Sequence, residues 1–173
     1  EHDMAGNKYI SMVAGLFTEV AAVDSSAGAG DAGKIIALDS GGKLPASMTP
    51  AGLGADTAVI VASEALAAGD LVNIHISSGA KVRKADASTT GKEAHGYVLT
   101  AVSSSGNATV YFEGLDNTQT GLTAGAVQFL SATTPGKATA TAPTGTGQVV
   151  QRVGFSYSTT EFNFQCGDPV LLA

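Results

Sequence analysis

An all-β fold is expected from this sequence: a compact antiparallel β-sandwich or barrel preceded by an extended N-terminal arm. Three observations carry that expectation. First, Ala, Gly, Thr and Ser make up almost half of the 173 residues, while charged residues are 14% and Trp is absent. Helical bundles draw on far more Leu, Glu, Lys and Arg, whereas Gly and Thr favour short strands joined by turns. Second, apolar runs of strand length recur through residues 55–173. They are spaced by roughly 8–12 residues and separated by Gly, Ser, Thr, Asn or Pro clusters, the punctuation of an antiparallel sandwich or barrel. Third, Ile, Leu, Val and Phe number only 39, which suffices for a folded chain with a thin core filled out by small side chains.

Residues 1–54 form the arm, with a Gly-rich linker, and residues 55–173 form the β-domain. The arm holds two apolar clumps. Tyr9, Ile10, Met12, Val13, Leu16, Phe17, Val20 and Val23 make the first. Their spacing suits a helix face, but Gly15 and the β-branched residues weaken that reading, and an extended strand also fits. The linker, residues 24–33 (DSSAGAGDAG), is flexible low-complexity sequence. Ile35, Ile36, Leu38, Leu44, Met48 and Leu53 make the second clump, with residues 34–38 and 43–44 flanking a turn at Asp39-Ser40-Gly41-Gly42. So few apolar anchors spread over 54 residues cannot offset the entropy of ordering them. The arm should therefore be mobile alone or ordered against another chain.

The β-domain opens with Thr57–Ala62 (TAVIVA), then residues 70–76 (DLVNIHI). There Val72, Ile74 and Ile76 share one face, and Leu71, Asn73 and His75 the other. Strands follow at Ala80–Lys84, 96–102, 108–112, 126–130, 149–155 and 161–165. A weak internal repeat runs through them at offsets near 55 residues. Residues 68–72 are echoed at 124–127, Gly79 to Lys81 at Gly136-Lys137, Gly96-Tyr97 at Gly154-Phe155, and residues 110–114 at 162–167. A duplicated β-unit would let two copies bury their apolar faces on each other.

Charge and motif searches exclude more than they find. A net charge of −6 repels phosphate backbones, so no nucleic-acid partner is expected. No apolar run is long enough to span a membrane. No secretory signal is visible at Glu1, and that start points to processing or to missing residues. Residues 28–33 match GxGxxG in form, but they precede an extended stretch, Lys34 to Leu38, rather than a helix, and no acid follows at the required spacing. His2, His75 and His95 have no metal-ligand spacing, and the single Cys166 excludes an intrachain disulfide and a multi-cysteine zinc site. Ser103-Ser104-Ser105-Gly106 reads as a polar turn, not a nucleophile elbow. Neither an enzyme, a cofactor nor a metal is therefore expected. Lys81, Arg83 and Lys84 form a small basic patch, read as a solvated strand face or as a dock for an acidic partner. Asn107-Ala108-Thr109 has the glycosylation pattern and reads as a turn. Tyr97, Tyr111, Phe112, Phe155, Tyr157, Phe162 and Phe164 recur at strand spacing, as packing residues or in part as a sugar-stacking platform.

Two stretches carry a family likeness. Residues 31–50, DAGKIIALDSGGKLPASMTP, resemble a segment of head-fibre, head-decoration and tail-fibre proteins of tailed bacteriophages. Residues 130–137 (LSATTPGK), Thr141-Ala142-Pro143, residues 148–155 (QVVQRVGF) and residues 161–164 are similar to capsid decoration, or cement, proteins. The resemblance implies a virion structural protein, trimeric, on the outer capsid surface, with the major capsid protein as partner and no catalytic residues. On that reading Leu16, Phe17, Ile35, Ile36, Leu38, Leu44 and Met48 of the arm would contact neighbouring subunits. The alternative is a head- or tail-fibre module binding host glycans through exposed aromatics. The basic patch and the linker match no motif of the family.

Overall fold

The computed structural model describes residues 8–49 and 55–173. The chain divides into two units, Glu1–Gly54 and Ala55–Ala173. In the first, β1 (Lys8–Val13) and β2 (Leu16–Ala21) form an antiparallel hairpin in the register Val13↔Leu16, Met12↔Phe17 and Ile10↔Glu19. The helix-or-strand ambiguity resolves as strand because of the turn. Ala14 and Gly15 both take positive φ, 53° and 82°, the pair that a two-residue type I′ turn demands. Glycine enters that region freely, whereas Ala14 gives up roughly 1–2 kcal/mol to do so. Residues 34–38 are not a ladder strand. A single parallel bridge, Val23↔Ile36, holds them, through Val23 N–H to Ile35 O and Ala37 N–H to Val23 O, both 2.9 Å. Among the described side chains of this unit, only Ala37 and Pro45 are buried.

The second unit begins with β3 (Thr57–Ala62), β4 (Leu71–Ile76), β5 (Ala80–Lys84), β6 (Gly96–Tyr97) and β7 (Asn107–Tyr111), which close into a barrel in the order β3-β5-β4-β6-β7. Four contacts are antiparallel; β3 and β5 run parallel, with Val61↔Lys81 and Ala62↔Val82. A ring with an odd number of strands cannot alternate direction all the way round, so one parallel pair is required where an antiparallel fold was expected. Ala62, Leu66, Val72, Val82, Val98, Ala108 and Val110 fill the barrel.

The chain continues through β8 (Gly114–Asp116), β9 (Val127–Leu130), β10 (Ala138–Thr139), β11 (Val149–Val150), β12 (Arg152–Ser156), β13 (Phe162–Phe164) and β14 (Val170–Leu171). Strands β11 and β14 pair with each other, and the rest form a five-stranded sheet in the order β10-β9-β12-β13-β8. That is the barrel's order, β5-β4-β6-β7-β3, strand for strand. All four contacts are antiparallel, so β8 and β10 point the same way, as β3 and β5 do. Each sequence echo falls on or directly beside strands that correspond in this scheme.

Gly96 and Gly154 show the correspondence at atomic scale. A Cβ on Gly96 would lie 2.5 Å from the Tyr111 carbonyl oxygen on β7, and one on Gly154 would lie 1.9 Å from the Asn163 oxygen on β13. In both copies a glycine lets the third strand approach the fourth. The apolar faces meet in a second core of Leu71, Ala85, Ala87, Ala94, Tyr97, Leu130, Val153, Phe162 and Phe164. Leu71 and Val72 are adjacent on β4 and serve different cores, as strand alternation requires. Tyr97 stacks on Tyr111 and tilts against Phe164, each at 5.4 Å between ring centres.

Gly154→Ala is expected to cost about 3 kcal/mol or more in urea unfolding, because the carbonyl it strikes belongs to backbone. Gly147→Ala, with φ 80° and open space around it, should cost only about 1 kcal/mol. Equal losses would show that the close approach at Gly154 is not the constraint.

Candidate interaction surface

Alternation along a hairpin should send its apolar residues to one face, but this hairpin carries them on both. Met12 and Phe17 are opposite each other on one side of the sheet, and Val13 and Leu16 on the other. Leu16 is 71% exposed and Phe17 80%. At the base, Lys8 pairs with Glu19. Each strand has a single partner, so both outer edges keep unpaired backbone groups, and a two-stranded hairpin is marginal in water. Covering each large side chain would contribute roughly 1.5–3 kcal/mol. The structure thus adds Ile10, Met12 and Val13 to the arm residues singled out from sequence.

Ile35, Ile36, Leu38 and Leu44 are also about half exposed, whereas Met48 is partly buried. The Asp39 carboxylate shapes the turn between them, its Oδ1 accepting the Gly41 and Lys43 N–H groups at 2.9 Å. Asp31 does similar work in the glycine-rich stretch. It accepts the Ala27 N–H at 2.7 Å and the Lys34 ammonium at 2.7 Å. The Lys34 hydrogen bond, then that of Ala27, holds its carboxyl below the ordinary range.

Of Lys81, Arg83 and Lys84, only Lys84 meets a carboxylate, while Arg83 is held by neutral acceptors. Arg83 donates from Nε to Asn73 Oδ1 at 3.0 Å and from its guanidinium to Gly91 O at 2.7 Å. The Lys84 ammonium lies 3.7 Å from the buried Asp70 carboxylate, whose nearer partner is Lys137 at 2.7 Å. Sequence alone hides these partners, which come from other strands and loops. Lys81 stands opposite His75 in the β4–β5 register. His75 shares a 3.0 Å hydrogen bond with the Ser63 hydroxyl. Desolvation, then the charges of Arg83 and Lys81, push its pKa down.

The remaining chemistry-bearing residues lie apart. His2 falls outside the described residues, and His95 Nδ1 accepts the Ile74 N–H at 3.0 Å. Ser103 to Gly106 form a turn, with Ser105 at φ 69°. Cys166 Sγ sits 2.9 Å from Gln151 Nε2 and 3.0 Å from Ala94 O, and desolvation raises its thiol pKa. Among the described residues no group of three His, Cys, Asp or Glu could hold a metal, and no helix is long and apolar enough to cross a membrane. Tyr97 is 2% exposed, and burial lifts its pKa to about 12. Its ring and that of Tyr111 are committed to each other, so of the three candidate sugar-stacking tyrosines only Tyr157 is exposed, edge-on to Phe155.

No family model, curated protein or solved structure matches this chain.

The two lysines on Asp70 should be unequal. Lys137→Met is expected to cost about 2–4 kcal/mol and Lys84→Met under about 1 kcal/mol, read from urea unfolding of the purified protein. The reverse order would refute the pairing. His75 supplies a pH test. A base whose folded pKa is depressed contributes stability that is complete above its unfolded value and is lost as pH falls below it. The melting temperature should therefore decline as pH drops from neutrality through 6.5, the ordinary histidine value, and His75→Gln should flatten that decline.

Proposed function

We propose that this protein decorates and stabilises the outer surface of a tailed-phage capsid, with the major capsid protein as its partner. The observation that supports this most is the hairpin tip, where Met12, Val13, Leu16 and Phe17 expose apolar surface on both faces. A strand pair of that kind is suited to insertion between other subunits, which would cover both faces at once and extend the sheet at its open edges. The turn segment with Ile35, Ile36, Leu38 and Leu44 adds a second apolar contact. The β-unit would remain as the body outside the shell, and the local likeness of residues 31–50 to head-fibre, head-decoration and tail-fibre proteins of tailed phages is compatible with this division.

Binding only the assembled shell would stabilise it by mass action. Three linked copies about a local three-fold axis would add avidity. The fibre reading is less well supported, because Tyr97 is buried and the half-buried Tyr111 stacks on it.

Removing residues 1–54 should leave a cooperatively folding β-unit that no longer co-sediments with capsids. Phe17→Asp in the full chain should weaken co-sedimentation by at least about tenfold, the loss of one well-buried side chain. Native mass spectrometry should show trimers. Full capsid binding by the truncated protein would end this reading.

A further inference from the structure

The second sheet repeats the strand order of the barrel but lacks its closing contact. In the barrel, β3 runs on to meet β5 at Val61↔Lys81 and Ala62↔Val82. The equivalent β8 is three residues long, stops at Asp116, and does not pair with β10. The chain turns away there. Asp116 Oδ1 accepts the Thr118 N–H at 2.8 Å and its hydroxyl at 2.6 Å, and Oδ2 accepts Gln119 Nε2 at 2.6 Å. The unclosed seam is a cleft of about 430 Å³, walled by residues 118–123 on one side and by β9, β10 and the turn between them on the other.

The lining has one chemical character. Thr118, Thr120 and Thr123 line one wall, and Ser131, Thr134 and Thr139 the other, with neither a carboxylate nor an aromatic ring among the lining residues; the hydroxyls of Thr118, Ser131 and Thr139 also hold hydrogen bonds within the chain. Its cation, Lys137, is paired with Asp70 at 2.7 Å, which also lies 3.7 Å from Lys84. Gln128 joins the lining from β9 and is 1% exposed. Its Nε2 donates to Ser156 Oγ at 2.8 Å, but among the described residues its Oε1 is the one buried side-chain polar atom with no hydrogen-bond partner. Turning the carboxamide over would only exchange an unpaired acceptor for an unpaired donor. A buried amide end left in this way is destabilising and calls for a partner from outside the chain.

We propose that the seam binds a neutral polyhydroxylated ligand, a mono- or disaccharide unit. Sugar hydroxyls both donate and accept, as Ser and Thr hydroxyls do, and a side-chain shift that uncovers the buried Gln128 Oε1 would let one of them donate to it. An anion would have to draw Lys137 away from its 2.7 Å contact with Asp70, a cation would find no carboxylate, and an apolar ligand would strand the hydroxyls. With no ring to stack on, a single site binds weakly, with a Kd on the order of 1 mM. Repeated display converts such affinities into firm attachment.

The test is a ¹⁵N NMR titration of the full chain with glucose, galactose, mannose and N-acetylglucosamine, and with inorganic sulfate as the anionic probe. At least one sugar should give saturable shifts confined to residues 118–123 and 128–139, and sulfate none. Gln128→Met should weaken that binding by about tenfold, the loss of a buried hydrogen bond. A buried substitution can disturb folding, so Thr120→Val, on the exposed part of the wall, is measured beside it. It should weaken binding about threefold without changing the melting temperature. No shift with any of the four sugars, shifts with sulfate alone, or shifts centred on Tyr157 would each overturn the proposal.

Discussion

Strand number is the constraint from which the rest of the β-unit follows. Five strands closed in a ring must place two neighbours in the same direction, and parallel neighbours cannot be joined by a tight hairpin. The chain meets this by running β3, crossing to β4, and returning through the β4–β5 hairpin to lie beside β3. The remaining contacts can then be antiparallel and locally connected. Closure also removes the sheet edges, which a thin core of alanines and valines could not otherwise protect.

The second copy solves the same topological problem differently, because it has the first to lean on. Its apolar face is covered by the outer face of the barrel, so burial no longer depends on closing the ring. Polar side chains fix the joint. Asp70, just before β4 in one copy, receives Lys137, just before β10 in the other, at 2.7 Å. The Gln151 carboxamide pairs with both backbone groups of Ala94, at 2.7 and 3.0 Å. Apolar packing between small side chains is tolerant of sliding, whereas these bonds are directional and set a single alignment.

Sequence reading succeeded where a strand is long enough to show its period. TAVIVA and AKVRK have the bounds expected of them because alternation over five or six residues is unambiguous. Strands β8 and β10, of three and two residues, carry no period and were not legible. The parallel pair was hidden because it depends on how many strands the ring contains, a global property. In the arm, apolar positions 9, 10, 13, 16, 17 and 20 satisfy helix and strand periods alike, and the deciding signal was the local Ala14-Gly15 turn. Arg83 looked available because Asn73 and Gly91 become its partners only after folding. The seam had no sequence signal at all, since it arises from a pairing that is missing.

The two-faced hairpin also bears on how the protein behaves in isolation. Open strand edges beside Met12, Leu16 and Phe17 are the ingredients of cross-β stacking between identical chains. The Lys8–Glu19 pair at the hairpin base and an excess of six negative charges oppose such self-adhesion. That restraint is electrostatic, so brine would relax it. A stock of the purified protein would therefore be best kept dilute and at low ionic strength.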